Sequence, residues 1–410
     1  MPEPTYALYV GVDWGNQTHQ VAVLDTARGL RGERGVAHDG PGLHALASWL
    51  AELAAPGTVA VAIEVPHGAV VDTLLERGFD VYALNPRQMD RFRDRDTVAG
   101  AKDDRRDAQV LAAALLTDRP AFRRLHVDDP QVVQLRELTR IEAELSEALR
   151  RLANRRREQL LRFYPQALEL CPAADEPWFW ALLTQLPTPP AAARRRRGPV
   201  AALLREYRIR RRTADEVLTV LRRTPLTVAP GTLEAATEHI ALVLPRLELI
   251  ATPRRACAPR VETMLAVLAA AGQQQGHRDV TILRSFPGVG RVVAATMLAE
   301  ASQLLAARAY HRLRASGGAA PVTRQSGKQR GVPMRYAWNP RLRNALYYWA
   351  FIAARHDPAP RQHYEGLRAR GHSQGRALRG VADRLLAVLI VMLKTQTLYD
   401  PSRREAKFAA

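Results

Sequence analysis

Apolar positions in the N-terminal part of the chain recur with two different periods. Tyr6 to Val12 and Gln20 to Leu24 are short runs rich in Val, Leu and Tyr. The polar turn Asp13-Trp14-Gly15-Asn16 separates them, which predicts a β-hairpin. A helix is expected from Pro41 to Ala54, a strand from Thr58 to Ile63, a helix around Ala69 to Arg77 and a strand from Asp80 to Leu84. Asn85-Pro86 then breaks the pattern. Ala101 to Leu116 reads as a helix with its polar residues first and Leu111, Leu115 and Leu116 turned inward. Strands alternating with helices in this order predict an α/β domain with helices covering a mixed sheet.

The middle of the chain has another rhythm. Leu135, Leu138, Leu145, Leu149 and Leu152 fall at heptad spacing, which predicts a long helix packed as a coiled coil or an antiparallel pair. Its other faces are basic, with Arg150, Arg151, Arg155, Arg156 and Arg157. Pro187 to Pro190 and Arg194 to Arg197 read as a loop or linker, and Arg208, Arg210, Arg211 and Arg212 form a second basic segment. Leu233 to Ala270 is helical again, with breaks expected near Pro245 and Pro253, so the region is expected to form a protruding helical arm. From Thr281 onward, Phe286-Pro287-Gly288-Val289-Gly290 leads into an apolar helix, Val292 to Leu298. A Gly- and Ser-rich loop, Ser316 to Gly331, precedes helices at Arg341 to Ala354 and Gly375 to Leu393. The expected fold class is α/β plus all-α, with domains at 1–128, 129–275 and 276–400 and a tail at 401–410.

Charge changes the picture. The chain of 410 residues is 47% hydrophobic, so it is globular, yet its formal net charge is +19. Such an excess favours polyanions, because each neutralised phosphate releases condensed counterions. Arg outweighs Lys, so part of the excess also fits the arginine bias of a GC-rich genome. Cys171 and Cys257 make neither a disulfide framework nor a zinc site, which points to a reducing cytoplasm. Met1 to Tyr9 lacks a signal-peptide pattern, and the longest apolar run, Leu385 to Leu393, is too short to span a bilayer.

Four acidic residues stand at element boundaries. Asp13 ends the first strand, Glu64 follows the apolar run Val59 to Ile63, and Asp104 and Asp107 share one face of a helix. Phosphodiester chemistry with divalent cations needs converging carboxylates, and Mg²⁺ prefers hard oxygen ligands. Each residue alone also fits a solvated strand end or a helix-dipole partner. Asp103 and Asp107 form an i,i+4 pair, so spacing leaves Asp103 and Asp104 as alternatives. A Gly-Val-Asp turn also opens actin-like kinases, but their further glycine-rich phosphate loops are not found at suitable places.

Val10-Gly11-Val12-Asp13, Ile63-Glu64, Asn85-Pro86 and Lys102-Asp103-Asp104-Arg105-Arg106-Asp107-Ala108 resemble the RuvC-like, RNase H-like domain of the insertion-sequence-110 family of DEDD transposases. In that family the last motif reads Lys, a small residue, Asp, two variable positions, Asp, Ala. This register selects Asp104 and Asp107 and puts Asp103 where Ser or Thr is usual. The C-terminal third is similar to the family's transposase domain in Pro287-Gly288-Val289-Gly290, Gln325-Ser326-Gly327 and Leu342-Arg343-Asn344-Ala345-Leu346. Trp338 stands where the family often has Gly.

By residue type alone, Ser-Gly in a loop is ordinarily a turn. The resemblance implies that Ser326 is the nucleophile forming a covalent link to DNA, with Ser316 ranked second. Arg324, Lys328 and Arg330 are candidate phosphate contacts, as are Arg155 and Arg156. Gly288 and Gly290 read either as a phosphate-binding helix start or as a turn that permits close helix packing. The resemblance further implies Mg²⁺, double-stranded target and donor DNA, and a structured bridge RNA that pairs with both. It also implies a tetramer with active sites shared between protomers, in a bacterial cytoplasm near the nucleoid. The rival readings are a nuclease or Holliday-junction resolvase using the carboxylates alone, and a non-catalytic RNA- or DNA-binding architectural protein.

Overall fold

The computed structural model describes residues 4–96, 103–270, 278–322, 324–326, 329–331 and 334–401. The chain divides into two compact units, Met1–Asp128 and Asp129–Ala410.

The first unit begins with β1 (Leu8–Asp13), β2 (Thr18–Asp25) and β3 (Leu30–Ala37), followed by α1 (Gly40–Leu53) and β4 (Val59–Ile63). Next come α2 (Ala69–Glu76), β5 (Asp80–Ala83), α3 (Pro86–Asp96), α4 (Asp104–Asp118) and the two-residue β6 (Arg123–Arg124). The sheet order is β3-β2-β1-β4-β5-β6, with β4 parallel to both β1 and β5 and the remaining pairs antiparallel. This mixed sheet covered by helices is the RNase H-like layout that the sequence implies.

Alternation along the strands decides which helix lies on which face. Val10, Val12, Val61 and Ile63 share a core with Leu46, Leu50 and Leu74 of α1 and α2. Ala60 and Ala62 turn to the opposite face and pack with Leu111 and Leu115 of α4. That second face carries small residues where α4 crosses it, so the helix backbone comes very close. A Cβ placed on Gly11 would sit 1.9 Å from the Ala108 carbonyl oxygen and 2.7 Å from the Ala112 nitrogen.

Two elements of this unit differ from the sequence expectation. β3, with the sequence LRGERGVA, buries only Val36, so as a strand at the sheet edge it shows no apolar alternation. α3 starts at the Asn85-Pro86 break, where the Asn85 carbonyl accepts the first helical N–H groups and Pro86 fits the first turn.

In the second unit, α5 (Pro130–Phe163) leads into α6 (Pro177–Gln185), α7 (Pro189–Arg194), α8 (Arg197–Glu206) and α9 (Ala214–Leu221). α10 (Thr232–Ala270) then returns along α5. The late turns of α5 share a core with the early turns of α10, through Leu160 and Ile240, while Leu135 packs in the same core as Val261 and Leu265. The two helices are therefore antiparallel. The segment expected to be a loop or linker is instead a set of short helices around Trp178, Phe179 and Trp180. Its prolines mislead as punctuation, because Thr188 caps α7 and Pro189 occupies the first turn of that helix. α10 also runs 39 residues without the expected breaks, through Pro245, Pro253 and Pro259. All three prolines are on its solvent side, opposite the apolar seam.

The remaining elements are α11 (Arg278–Arg284), α12 (Arg291–Ala306), α13 (Tyr310–Ser316), the hairpin β7 (Arg324–Ser326) and β8 (Gln329–Gly331), α14 (Pro340–His356), α15 (Pro358–Ala369) and α16 (Gln374–Thr395). The helices among them close around Trp349, Leu386 and Leu389. No helix among the described residues is long and apolar enough to cross a membrane.

Candidate active site

The first unit brings together the ends of β1 and β4 and the first turn of α4. Val12 of β1 lies beside Ile63 of β4 in parallel register, so Asp13 and Glu64 leave neighbouring strands at the same end. The contact of Gly11 with Ala108 sets the first turn of α4 against that end. Asp13 is half-buried, and its carboxyl is pushed up to about 6. Burial is the largest cause, followed by the negative charges of Asp107, Asp104 and Glu64, while Arg93 opposes them. The charges of the other three carboxylates thus act on Asp13.

Arg93 was not singled out by the sequence, and nothing in its spacing marks it. It reaches from α3 to the buried Asp107, with Nε 2.6 Å from Oδ1 and Nη2 2.7 Å from Oδ2. This bidentate pair supplies the counter-charge that lets Asp107 stay 4% exposed at its side chain. Asp103 has a separate task. It is the N-cap of α4, and its side chain accepts from the Arg105 N–H. Of the neighbours Asp103 and Asp104, Asp104 is the one whose charge is among those acting on Asp13.

A second feature beside the site also escaped the sequence reading. His19 is fully buried on β2, next to the residue that faces Asp13. Its Nδ1 accepts from the Gly15 N–H at 3.2 Å, which leaves Nε2 to donate to His38 Nδ1 at 2.8 Å. Burial, then His38, pulls the imidazole below its ordinary value, in keeping with this neutral form. The Trp14-Gly15 turn after Asp13 is thereby tied to the sheet.

Cys171, Asp175 and Glu176 bring three ligand atoms within 4.8 Å of one another. The Glu176 carboxylate already accepts from Trp178 Nε1 and from Arg211. By donor type the thiol makes this cluster a poor Mg²⁺ site, whereas the all-oxygen set around Asp13 fits the ion's preference, although no three of its carboxylates bring ligand atoms that close together.

Among the other candidate residues, Arg155 is exposed but Arg156 is fully buried. Leu149, Ala153, Arg156, Leu160 and Phe163 repeat at three- and four-residue steps, so Arg156 occupies the core seam of α5. Among the described residues its guanidinium nitrogens have no hydrogen-bond partner, and the group lies over Phe179 and Trp180, at 5.9 and 5.6 Å. This corrects the expectation that Arg156 faces nucleic acid. Gly288 has φ +85°, and a Cβ there would come within 3.0 Å of the Trp349 carbonyl, so close packing on α14 accounts for it. Gly290 caps α12 with open space around it. Ser326 ends β7 opposite Gln329. Lys328 and the side chains of Arg324, Ser326 and Arg330 lie outside the described residues. Ser316 ends α13, and its carbonyl accepts from the Asn339 N–H.

The raised Asp13 carboxyl has a testable pH consequence. A carboxyl raised on folding contributes stability below its unfolded value of about 4, and that contribution is lost as pH rises through the folded value. The difference in unfolding midpoint between Asp13→Asn and the metal-free wild type should therefore open in favour of the variant as pH rises through about 6. Thermal melts of both proteins across that range check it, and a constant difference would contradict the coupling.

Residues 10–165 match a family model described as a transposase of the IS110 DEDD type, and residues 280–365 match one described as a transposase of the IS116/IS110/IS902 family. The chain is 33% identical over 415 residues to the mini-circle putative transposase for IS117 of Streptomyces coelicolor, covering 98% of each chain. It is 52% identical over 208 residues to the putative transposase y4uE of Sinorhizobium fredii, spanning 50% of this chain and 57% of that one. It is also 30% identical to an uncharacterised 42 kDa protein of insertion element IS900 from Mycobacterium paratuberculosis, over 99% of this chain and 100% of that one.

Proposed function

Because the chain belongs to the IS110 family of transposases, we propose that it is a DNA recombinase that cleaves and rejoins strands through a covalent serine–DNA link. The observation that supports the metal-dependent part of the reading is geometric: parallel β1 and β4 and the first turn of α4 set Asp13, Glu64, Asp104 and Asp107 at one end of the sheet, where the charges of the other three help to raise the Asp13 carboxyl. Such repulsion costs stability in the resting protein and is relieved by a bound cation. Asp13, Glu64, Asp104 and Asp107 would hold Mg²⁺, which when bound supplies Lewis-acid stabilisation of charge on the scissile phosphate. Arg93 fixes the carboxylate of Asp107, and Asp103 fixes the start of α4.

In the proposed step the Ser326 Oγ–P bond forms and the bond from phosphorus to the leaving deoxyribose oxygen breaks. The serine proton ends on the released hydroxyl. The ester retains the bond energy, so rejoining needs no nucleotide cofactor. We assign the choice of DNA sequence to a structured bridge RNA pairing with target and donor duplexes, with the protein acting as a tetramer. The net charge of +19 supports a polyanionic partner, and exposed Arg155 and Arg157 are available to it.

The test is adduct trapping on the full-length protein with Mg²⁺, guide RNA and duplex substrates. Wild type and Ser316→Ala should give a protein–DNA band stable to denaturant, mapping to Ser326, and Ser326→Ala should give none. Cleavage without any adduct would identify a hydrolytic nuclease instead.

A further inference from the structure

We infer that the segment entering α14 forms a stacking site for an unstacked nucleotide, built from Tyr336, Trp338 and Arg343, with Arg376 and Arg379 adding positive charge near Arg343. The inference goes beyond the strand-transfer reading and does not depend on which residue attacks the phosphate. Tyr336 is 69% exposed, a high value for an aromatic ring. It stacks on Trp338 with ring centroids 5.6 Å apart and planes 27° from parallel. Trp338 is in turn anchored, since its ring packs on the backbone at Gly318 and its neighbour Asn339 donates a backbone N–H to the Ser316 carbonyl. Asn339 also caps α14 and donates through Nδ2 to Glu300 at 2.8 Å. The aromatic stack is therefore fixed at its base while Tyr336 presents a bare face to solvent.

The charges nearest the stack are positive. The Arg343 guanidinium lies 4.8 Å from the centre of the Trp338 ring. Arg379 is half-buried, and Arg343 and Arg376 act on it as like charges. Among the described residues, none of these three arginines is paired with a carboxylate. Clustered cations beside an exposed π-face suit a phosphate joined to a planar base. Bases inside a duplex are already stacked on both faces, so the occupant is a base displaced from its helix or one in a single strand.

The test uses the full-length protein with single-stranded DNA and RNA oligonucleotides carrying 2-aminopurine, and a DNA duplex of the same sequence. Tyr336→Ala is the main variant because the ring is exposed and its loss spares the core. Single-strand affinity should fall about tenfold with loss of 2-aminopurine quenching, while duplex affinity stays within about twofold. Trp338→Phe should keep most of the binding, and Arg376→Gln should reduce the salt slope by about one. Dependence on Tyr336 with DNA, RNA or both identifies the source of the base. Equal losses on single strand and duplex would overturn the inference. So would unchanged single-strand affinity in Tyr336→Ala, including the case where that variant instead dissociates an oligomer.

Discussion

Replacing Asp13 by Asn should lower Mg²⁺-dependent strand cleavage on the order of a thousandfold, equivalent to ~4 kcal/mol of transition-state stabilisation. It should do so without weakening the fold. Asn keeps the size and shape of the side chain, so the turn into Trp14 and the β1 pairing have no steric reason to move. What disappears is a negative charge whose formation is opposed by burial and by the charges of Asp107, Asp104 and Glu64. The metal-free variant should therefore melt at or above the wild-type temperature near neutral pH, while Mg²⁺ no longer raises its melting point as it does for wild type. Paired thermal melts with and without Mg²⁺, alongside single-turnover cleavage, separate this from a structural role. A variant that loses cleavage and stability together would show that Asp13 holds the strand end rather than a cation.

Gly11→Ala should have the opposite profile. The added methyl would stand 1.9 Å from the Ala108 oxygen and 2.9 Å from the Ala108 carbonyl carbon, both backbone atoms of α4. A flexible side chain could turn away, but a helix backbone in contact with a central strand cannot. Overpacking of this kind costs about 3 kcal/mol or more, or pushes α4 off the sheet. Either result carries Asp104 and Asp107 away from Asp13, so cleavage and stability should fall together. Retained melting temperature with full activity would mean that α4 sits farther from β1 than the structure places it. The same position thus serves packing and chemistry through one contact.

Much of this was legible in the chain because burial imposed a period on it. The strands carrying Asp13 and Glu64 alternate or run apolar, since both lie in the middle of the sheet and are covered on both faces. β3 lacked such a mark, because at the edge its glycines and charges need satisfy only its hydrogen bonds. Arg156 was misplaced for a different reason. Its charge suggested a surface, whereas the step from Ala153 to Arg156 to Leu160 already put it in the seam. Spacing could not separate Asp103 from Asp104, because both meet the one-face requirement with Asp107. The structure adds that Asp103 accepts a capping hydrogen bond from Arg105, which is a property of φ and ψ rather than of sequence order. Arg93 had no sequence signal at all, since its importance comes from α3 lying against α4.

The three prolines of α10 give the second unit a mechanical character. A proline within a helix supplies no N–H, so the carbonyls of Ala241, Leu249 and Arg255 lose their helical partners. Along the opposite side, Val243, Leu247, Ala251, Val261 and Leu265 keep the helix seated in its cores. Missing hydrogen bonds on one side lower the cost of bending a helix there, while the packed side holds its register. The two cores that α10 joins, one around Trp178 and one around Trp349, are thus linked through a helix that forgoes three i-to-i+4 hydrogen bonds on its solvent side.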